Sequence, residues 1–295
     1  MLTLFTVPKA FRGHIRVIQR NAIRSWTKIS PPCEILLLGD EDGTAELATE
    51  LQVRHVPSIE RNEQGTPTIN SIFAEAQAAA KHPHLCYVNA DIIFMGEFLP
   101  AIRKVWEEFG DAIMVGRRWD VDVREDFDFS GEWEQRLRAR VKRTGRRQAP
   151  SAIDYLVFKN GQFREIPPFA VGRANWDNWM LYAAASQHAP IVDLSKCVKA
   201  VHQSHDYSHH QDGVGVWTGQ EAQRNMELAG GRMNLYTILD ANYRLTKQGI
   251  IRRPIHSYHL YRLFTYYCEK SPFLHPAISL VRWLRNAWLF RGRFA

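Results

Sequence analysis

Short apolar runs alternate with amphipathic segments along the first 116 residues, and this alternation constrains the fold more than any other feature of the chain. The run EILLLG at 34–39 is continuously apolar, which is typical of a strand covered on both faces. The preceding segment HIRVIQRNAIRSWTKI repeats large apolar residues every three or four positions from Ile15 to Ile29, which is the spacing of an amphipathic helix. Such alternation predicts βαβ units and an open, Rossmann-like, mainly parallel sheet flanked by helices.

The same patterns divide the rest of the chain. We expect strands at residues 2–7, 34–39, 53–59, 85–94, 112–116 and 152–158. We expect helices at 14–29, around 47–51, at 69–76, at 98–109 and at 180–185. The organisation predicted is one α/β domain over 1–245, with halves 1–118 and 119–245, followed by a helical extension at 246–295.

Bulk properties restrict the class of protein. The net charge of +7 and a pI near 9.3 favour anionic partners, which include nucleotide phosphates, lipid headgroups and nucleic acid. The four cysteines form no CxxC pair, which favours a reducing compartment. No signal peptide is recognisable, and no run approaches the roughly 20 apolar residues of a membrane span. We expect a cytoplasmic protein that is soluble or lies on the inner membrane surface.

The first candidate functional group is Asp91 in Asn89-Ala90-Asp91, inside the apolar run at 85–94. A carboxylate there is costly to bury without a partner, and a divalent cation that bridges two phosphates is one such partner. An aspartate in this position can also cap a turn or pair with an arginine.

The second candidate is Asp177, which follows Gly172 and opens the helix MLYAAA between Trp176 and Trp179. An aspartate in the first turn of a helix is often only a cap. The two indoles favour a functional interpretation, because flat aromatic faces stack on sugar rings.

The third candidate is the histidine-rich stretch VKAVHQSHDYSHH, with His202 and His205 at its start and His209 and His210 at its end. A lone histidine is usually a satisfied core residue, whereas four within nine positions indicate metal binding or acid–base chemistry. The spacing does not match a closed zinc site, so we expect one or two of them to act.

These elements together resemble the GT-A glycosyltransferases, and specifically the bacterial glycosyltransferase family 2-like group, over residues 1–245. Asn89-Ala90-Asp91 resembles the DxD element at the end of the fourth strand, with Asn89 in place of its first acid. Gly172 and Asp177 resemble the glycine loop and the acid at a helix start. His202 or His205 resembles the histidine after a later strand.

The resemblance implies transfer of a sugar from a UDP- or GDP-linked donor to a hydroxyl of a glycan or glycolipid, with inversion, in polysaccharide biosynthesis. It implies Mn²⁺ or Mg²⁺ held by Asp91 with His202 or His205, and Asp177 as the catalytic base. It places donor binding in the first half of the domain and acceptor binding in the second. The remaining residues predicted for the donor are Thr6, Pro8, Asp40, Asn89, Arg117, Arg118 and Arg173, and those for the sugar or acceptor are Trp176, Trp179, Asp154 and Gly172.

Other interpretations stay open at this stage. A non-catalytic nucleotide-sugar or glycan-binding module would keep the tryptophans without needing Asp177, and a nucleic-acid-modifying glycosyltransferase is suggested only by the positive charge. The basic segment 136–147 is either a solvated helix and loop or a flap that faces phosphates. The basic amphipathic tail at 272–295 either packs onto the domain or makes a peripheral membrane contact.

Overall fold

The computed structural model describes residues 2–205, 215–254 and 257–270. The chain separates into two compact units, Met1–Arg253 and Pro254–Ala295. His209, His210 and the tail at 272–295 lie outside the described residues.

The helices and strands follow the predicted alternation through the first half of the chain. The strands are β1 (Leu2–Thr6), β2 (Glu34–Leu38), β3 (Arg54–Val56), β4 (His84–Val88), β5 (Ile92–Ile93), β6 (Ile113–Val115), β7 (Arg118–Val121), β8 (Arg146–Arg147), β9 (Tyr155–Lys159), β10 (Ile191–Asp193), β11 (Ala200–Gln203), β12 (Tyr243–Thr246) and β13 (Gly249–Arg252). The α-helices are α1 (Gly13–Trp26), α2 (Thr44–Leu51), α3 (Ile69–Ala79), α4 (Phe98–Glu108), α5 (Trp133–Thr144), α6 (Trp176–Ser186), α7 (Gly215–Thr218), α8 (Gln220–Leu228) and α9 (Ser257–Lys270).

Among the described residues, nine strands form the central sheet in the order β13-β12-β10-β6-β9-β4-β1-β2-β3. Strands β4, β1, β2 and β3 run parallel, as do β6, β10 and β12. Strand β9 is antiparallel to its neighbours β4 and β6, and β13 is antiparallel to β12. The predicted fold class, a mainly parallel sheet flanked by helices, is confirmed.

Hydrophobic side chains cover both faces of this sheet, which explains the continuous apolar runs. Successive residues of β2 alternate between two cores, with Leu37 in one and Leu36 and Leu38 in the other. Helices α1, α2 and α4 contribute to the first core, and α3 and α6 to the second. A carboxylate on this framework can therefore remain charged only at the strand ends or with a partner.

A second sheet of four strands, in the order β5-β11-β7-β8, lies within the same unit of the described chain. Its apolar face packs on α5 through Leu137 and Val141. The basic segment 136–147 is thus largely a packed helix, and its Arg138 and Arg140 form ion pairs with Glu97 and Glu125.

Two sequence expectations differ from the structure. The apolar run 85–94 is not one strand, because the chain turns at Asn89–Asp91 and passes from the central sheet into the second sheet. The predicted boundary at 245 falls inside β12, whose hairpin with β13 completes the edge of the central sheet, so the first unit continues to Arg253.

The second unit contributes one described helix, α9. No described helix combines the length and apolar character that crossing a bilayer requires.

Candidate functional site

A cleft of about 880 Å³ contains most of the predicted site residues. The predicted residues that line it are Pro8, Asn89, Asp91, Arg118, Asp154, Gly172, Arg173, Trp176, Asp177, His202 and His205. These residues come from segments that are separated by up to about two hundred positions in the chain. Two of the segments follow the carboxyl ends of β1 and β4. Ligands of open parallel sheets bind at this edge.

Asp91, His202 and His205 form a compact group that is suited to a metal ion. One potential ligand atom from each residue lies within 4.8 Å of the others. Asp91 Oδ2 is 3.4 Å from His202 Nε2 and 3.2 Å from His205 Nε2. Burial alone would raise the pKa of Asp91, but the two imidazoles outweigh it and hold that pKa well below its usual range.

Strand pairing in the second sheet explains how this group is assembled. Strand β11 pairs with β5 on one side, where His202 is opposite Ile92, and with β7 on the other, where His202 is opposite Asp120. Asp91 directly precedes β5, and its carbonyl accepts a hydrogen bond from the Gln203 backbone N–H at 3.2 Å. The ring of His202 is 95% buried and lies between two carboxylates.

A network of polar side chains continues from this group across the cleft floor. Arg118 forms ion pairs with Asp120 at 2.9 Å and with Asp154 at 2.5 Å. Asn89 donates to Asp154 Oδ1 at 2.9 Å and accepts from the Tyr87 hydroxyl at 3.0 Å. Asn89 therefore orients Asp154, and its side-chain amide is committed at both ends.

Asp177 lies in the first turn of α6, on the cleft side. Burial, with a smaller contribution from the nearby Asp154 carboxylate, raises its pKa to about 7 against hydrogen bonds from backbone N–H groups. A carboxyl with this pKa exchanges a proton near neutral pH, which is the property of a general base or acid.

The loop before α6 has an unusual backbone. Gly172 has φ +70 and Asn175, the residue that precedes the helix, has φ +89. The Ala174 N–H donates to the Val216 carbonyl at 3.1 Å, so this loop is tied to α7. Left-handed backbone at a non-glycine residue is costly and is concentrated at functional sites. It turns the chain sharply enough to direct the helix start at the cleft.

Cationic side chains line the part of the cleft near Asp91. Lys9 is held through its backbone, which exchanges two hydrogen bonds with the Gln19 side chain at 2.6 and 2.7 Å. Burial lowers the pKa of Lys9, while Asp91 acts in the opposite direction. Arg173 forms an ion pair with Glu221 at 2.5 Å. Both cations are positioned where an anionic ligand of the cleft would contact them.

Several predicted residues lie elsewhere among the described side chains. Thr6 is fully buried beneath the cleft floor, and Asp40 is 68% exposed and paired with Arg61. The Arg117 guanidinium donates to the Gln148 carbonyl and does not line the cleft. These three side chains therefore do not line the cleft described, because they lie in the core, in solvent or along the neighbouring loop.

The two tryptophans predicted for the sugar or acceptor pack largely against the core. Trp176 lines the cleft but is packed edge-on against Tyr87, with ring centroids 5.0 Å apart, and is 94% buried. Trp179 packs on Phe169 at 5.2 Å and is not among the cleft-lining residues described. Both indoles serve the core, since α6 presents its apolar face to the sheet.

Three residues of the cleft were missed from the sequence: Lys9, Asp120 and Trp217. Lys9 follows Pro8 in a stretch that looks like an ordinary loop, and Asp120 is one of many acids in 120–134. Trp217 is 62% exposed at the cleft, next to the buried Val216 on α7. The sequence contains no recognisable pattern for α7, and the exposure of this indole beside a polar cleft is visible only in the structure.

Comparison with known proteins gives structural matches only. No protein-family model matches the chain, and no curated protein matches it in sequence. Glucosyl-3-phosphoglycerate synthase from Mycobacterium tuberculosis, in complex with Mg²⁺ and UDP, is similar with a TM-score of 0.48 and 12% identity over 79% of this chain and 80% of that chain. S. aureus TarS 1–349 in complex with UDP-GlcNAc is similar with a TM-score of 0.48 and 13% identity over 77% of this chain and 70% of that chain.

All of these TM-scores are below 0.5 and all identities below 25%, so the function of this chain is inferred below from its own side chains.

Proposed function

We propose that this protein is a metal-dependent glycosyltransferase, which moves a sugar from a nucleoside diphosphate donor to an acceptor hydroxyl. The observation that supports this most strongly is the shared cleft of Asp91, His202, His205 and Asp177. A metal-binding group and a carboxyl with a pKa of about 7 are the two parts that such a transfer needs.

The residues present fit a divalent cation. Asp91 Oδ1 is buried and has no hydrogen-bond partner among the described residues, which is costly unless an unseen ligand satisfies it. Asp91 supplies a hard oxygen ligand, and His202 and His205 supply two imidazoles. Imidazole nitrogen suits transition metals better than Mg²⁺, which prefers oxygen, so we propose Mn²⁺ as the better fit.

The donor diphosphate would lie between this group and the nearby cations. A bound cation supplies charge neutralisation on the diphosphate leaving group. Lys9 and Arg173 donate charge-assisted hydrogen bonds to the same phosphates; Glu221 holds Arg173 in place, and Gln19 holds the backbone of Lys9. Pro8, at the end of the β1 segment, borders the same region on the nucleoside side.

Asp177 accepts the proton of the acceptor hydroxyl as that oxygen attacks the anomeric carbon. A single displacement of this kind inverts the anomeric configuration. Asp154 is a poor candidate for the base, since Arg118 and Asn89 both hold its Oδ1. A glycan-binding module without catalysis has no use for a half-buried carboxyl whose pKa is raised to about 7, so Asp177 favours the enzyme.

Trp217 and the loop from Gly172 to Asn175 line the part of the cleft that we assign to the acceptor. The exposed indole offers a flat apolar face of the type that stacks on pyranose rings. We propose a glycan or glycolipid acceptor on this evidence. The donor base, whether uracil or guanine, is left to the experiment that follows.

Thermal unfolding with UDP, GDP and their common sugar conjugates, each with and without Mn²⁺, tests the proposal. A ligand that binds only the native state stabilises it by about 2.7 kcal/mol at a hundred times its dissociation constant. We expect one nucleotide to stabilise the protein in a Mn²⁺-dependent manner. Asp91→Asn should lose this dependence, whereas the exposed Asp122→Asn should keep it.

Turnover is then followed as release of the nucleoside diphosphate from the donor that binds. Stabilisation by no nucleoside diphosphate, with or without Mn²⁺, would contradict the proposal. If Mn²⁺ and nucleotide stabilise Asp91→Asn as much as the wild-type protein, the proposed metal site at Asp91 is contradicted.

A further inference from the structure

We propose that Asp120 is a positioning residue, which fixes the tautomer and orientation of His202 so that its Nε2 faces the cation. This inference rests on the proposed function, since it presumes a cation at Asp91, His202 and His205. Asp120 itself is not in the compact ligand group. It acts through the imidazole.

The geometry places a carboxylate at each nitrogen of the His202 ring. Nδ1 lies 3.1 Å from Asp120 Oδ1, and Nε2 lies 3.4 Å from Asp91 Oδ2. Asp120 and His202 are register partners on the parallel strands β7 and β11, so their proximity is fixed by backbone pairing. The two carboxylates are thus distinguished by position, with only Asp91 on the side of His205.

A neutral imidazole binds a cation through the nitrogen that carries the lone pair, and the other nitrogen must then carry the proton. The Asp120 carboxylate, 3.1 Å from Nδ1, favours a proton on that nitrogen, which leaves the lone pair on Nε2. Ligating histidines commonly have such a partner, and its loss costs about 10- to 100-fold in metal affinity or activity. His202 is 5% exposed, so solvent is poorly placed to substitute for Asp120.

Asp120 is itself held in place by two neighbours. Arg118 Nε lies 2.9 Å from Oδ1, and Gln148 donates to Oδ2 at 2.6 Å. Arg118 precedes Asp120 by two positions on β7, so both side chains project from the same face. Because Arg118 also pairs with Asp154, the orientation of His202 is coupled to the cleft floor beside Asp177.

The test is a double-mutant cycle that uses Mn²⁺ binding as its readout. Free Mn²⁺ is titrated by electron paramagnetic resonance with the full-length wild-type protein, Asp120→Asn, His202→Ala and the double variant. We expect Asp120→Asn to weaken Mn²⁺ binding by about 10- to 100-fold. In the His202→Ala background the same change should have an effect of at most about two-fold, because its target is gone.

The matched control is Asp122→Asn, two positions along the chain from Asp120 and exposed, which should bind Mn²⁺ as the wild-type protein does. Thermal unfolding without Mn²⁺ checks that each variant is folded. Where Asp120→Asn is not folded, Asp120→Glu takes its place in the cycle, because it keeps the charge and displaces the carboxylate by one methylene.

Two results overturn the proposal in distinguishable ways. Wild-type protein that binds no Mn²⁺ overturns the cation site and the proposed function with it. Wild-type binding that Asp120→Asn leaves unchanged, or weakens equally with and without His202, overturns only the positioning role. In the second case Asp120 contributes as a distant charge or as a structural partner of Arg118.

Discussion

Replacing Asp177 with asparagine should make the protein more stable while it abolishes most of its activity. The substitution keeps the shape of the side chain and its acceptor for backbone N–H groups, and it removes the ionisable carboxyl. A charged carboxylate that only stabilised the first turn of α6 would lose stability on this change, by up to about 1 kcal/mol. A carboxyl whose pKa is raised by burial predicts instead that Asp177→Asn gains stability.

The magnitude follows from the pKa. Burial raises the pKa of Asp177 to about 7 from an ordinary value of 3.8. A carboxyl whose pKa is raised on folding favours the native state while it is protonated, and this contribution is lost as the pH rises through the folded-state pKa. At about 1.36 kcal/mol per unit, the full cost of ionising Asp177 is at most about 4 kcal/mol above pH 7. Between about pH 5 and pH 8, the stability of Asp177→Asn relative to wild type should rise by about 2–3 kcal/mol.

Urea unfolding of both proteins at several pH values measures this difference, and Asp111→Asn, at an exposed position, serves as the matched control with no expected pH-dependent difference. Sugar transfer by Asp177→Asn should fall by about 10²- to 10⁴-fold, with Mn²⁺-dependent nucleotide binding retained. A difference in stability between the two proteins that does not change with pH would refute the raised pKa of Asp177. Turnover within a few-fold of wild type would place the base elsewhere.

The remaining predictions concern the base, the phosphate contact and one backbone position. The value of kcat/KM should rise about tenfold per pH unit below about pH 7 and level off above it, and a flat profile across that range would contradict a base with the raised pKa. Lys9→Met should weaken nucleoside diphosphate binding by about tenfold in calorimetry, against no change for the exposed Lys28→Met. Gly43→Ala should destabilise the protein by about 1–3 kcal/mol in urea unfolding, because φ is +86 and an added Cβ would lie 2.7 Å from Phe11 Cβ, whereas Gly110→Ala meets nothing within 4 Å.

Local periodicity was sufficient to predict most of the elements of the first half. Each helix there has a stripe of apolar residues, and β6 and most of β2 are continuously apolar because both faces of the sheet are covered. The direction of β9 could not be predicted in this way. A buried strand has the same composition whether it runs parallel or antiparallel to its neighbours, and direction depends on contacts that are remote in sequence.

The site was predictable in part, and the differences follow residue chemistry. Asp91, Asp177 and the two histidines stood out because buried carboxylates and clustered imidazoles are unusual in any segment. Asp120 did not stand out, because one acid in an acidic stretch gives no local signal and its role depends on a strand partner about eighty residues away. Trp176 and Trp179 were predicted to contact a sugar, because an indole next to an acid looks the same in the sequence whether it faces a ligand or the core.

The passage from the central sheet into the second sheet explains why the site lies where it does. At Asn89–Asp91 the chain leaves β4 and enters β5. Asp91 therefore lies just beyond the carboxyl end of β4 in the central sheet and beside β11 of the second sheet. In that position Asp91 contacts His202, which lies opposite Ile92 on β5. The pairing of β11 with β7 places Asp120 on the other side of His202. Under the proposed function, the second sheet positions the ligands of the cation, and the carboxyl ends of the parallel strands position the residues that contact the donor. A change that weakened β5–β11 pairing without replacing a ligand should therefore weaken metal binding.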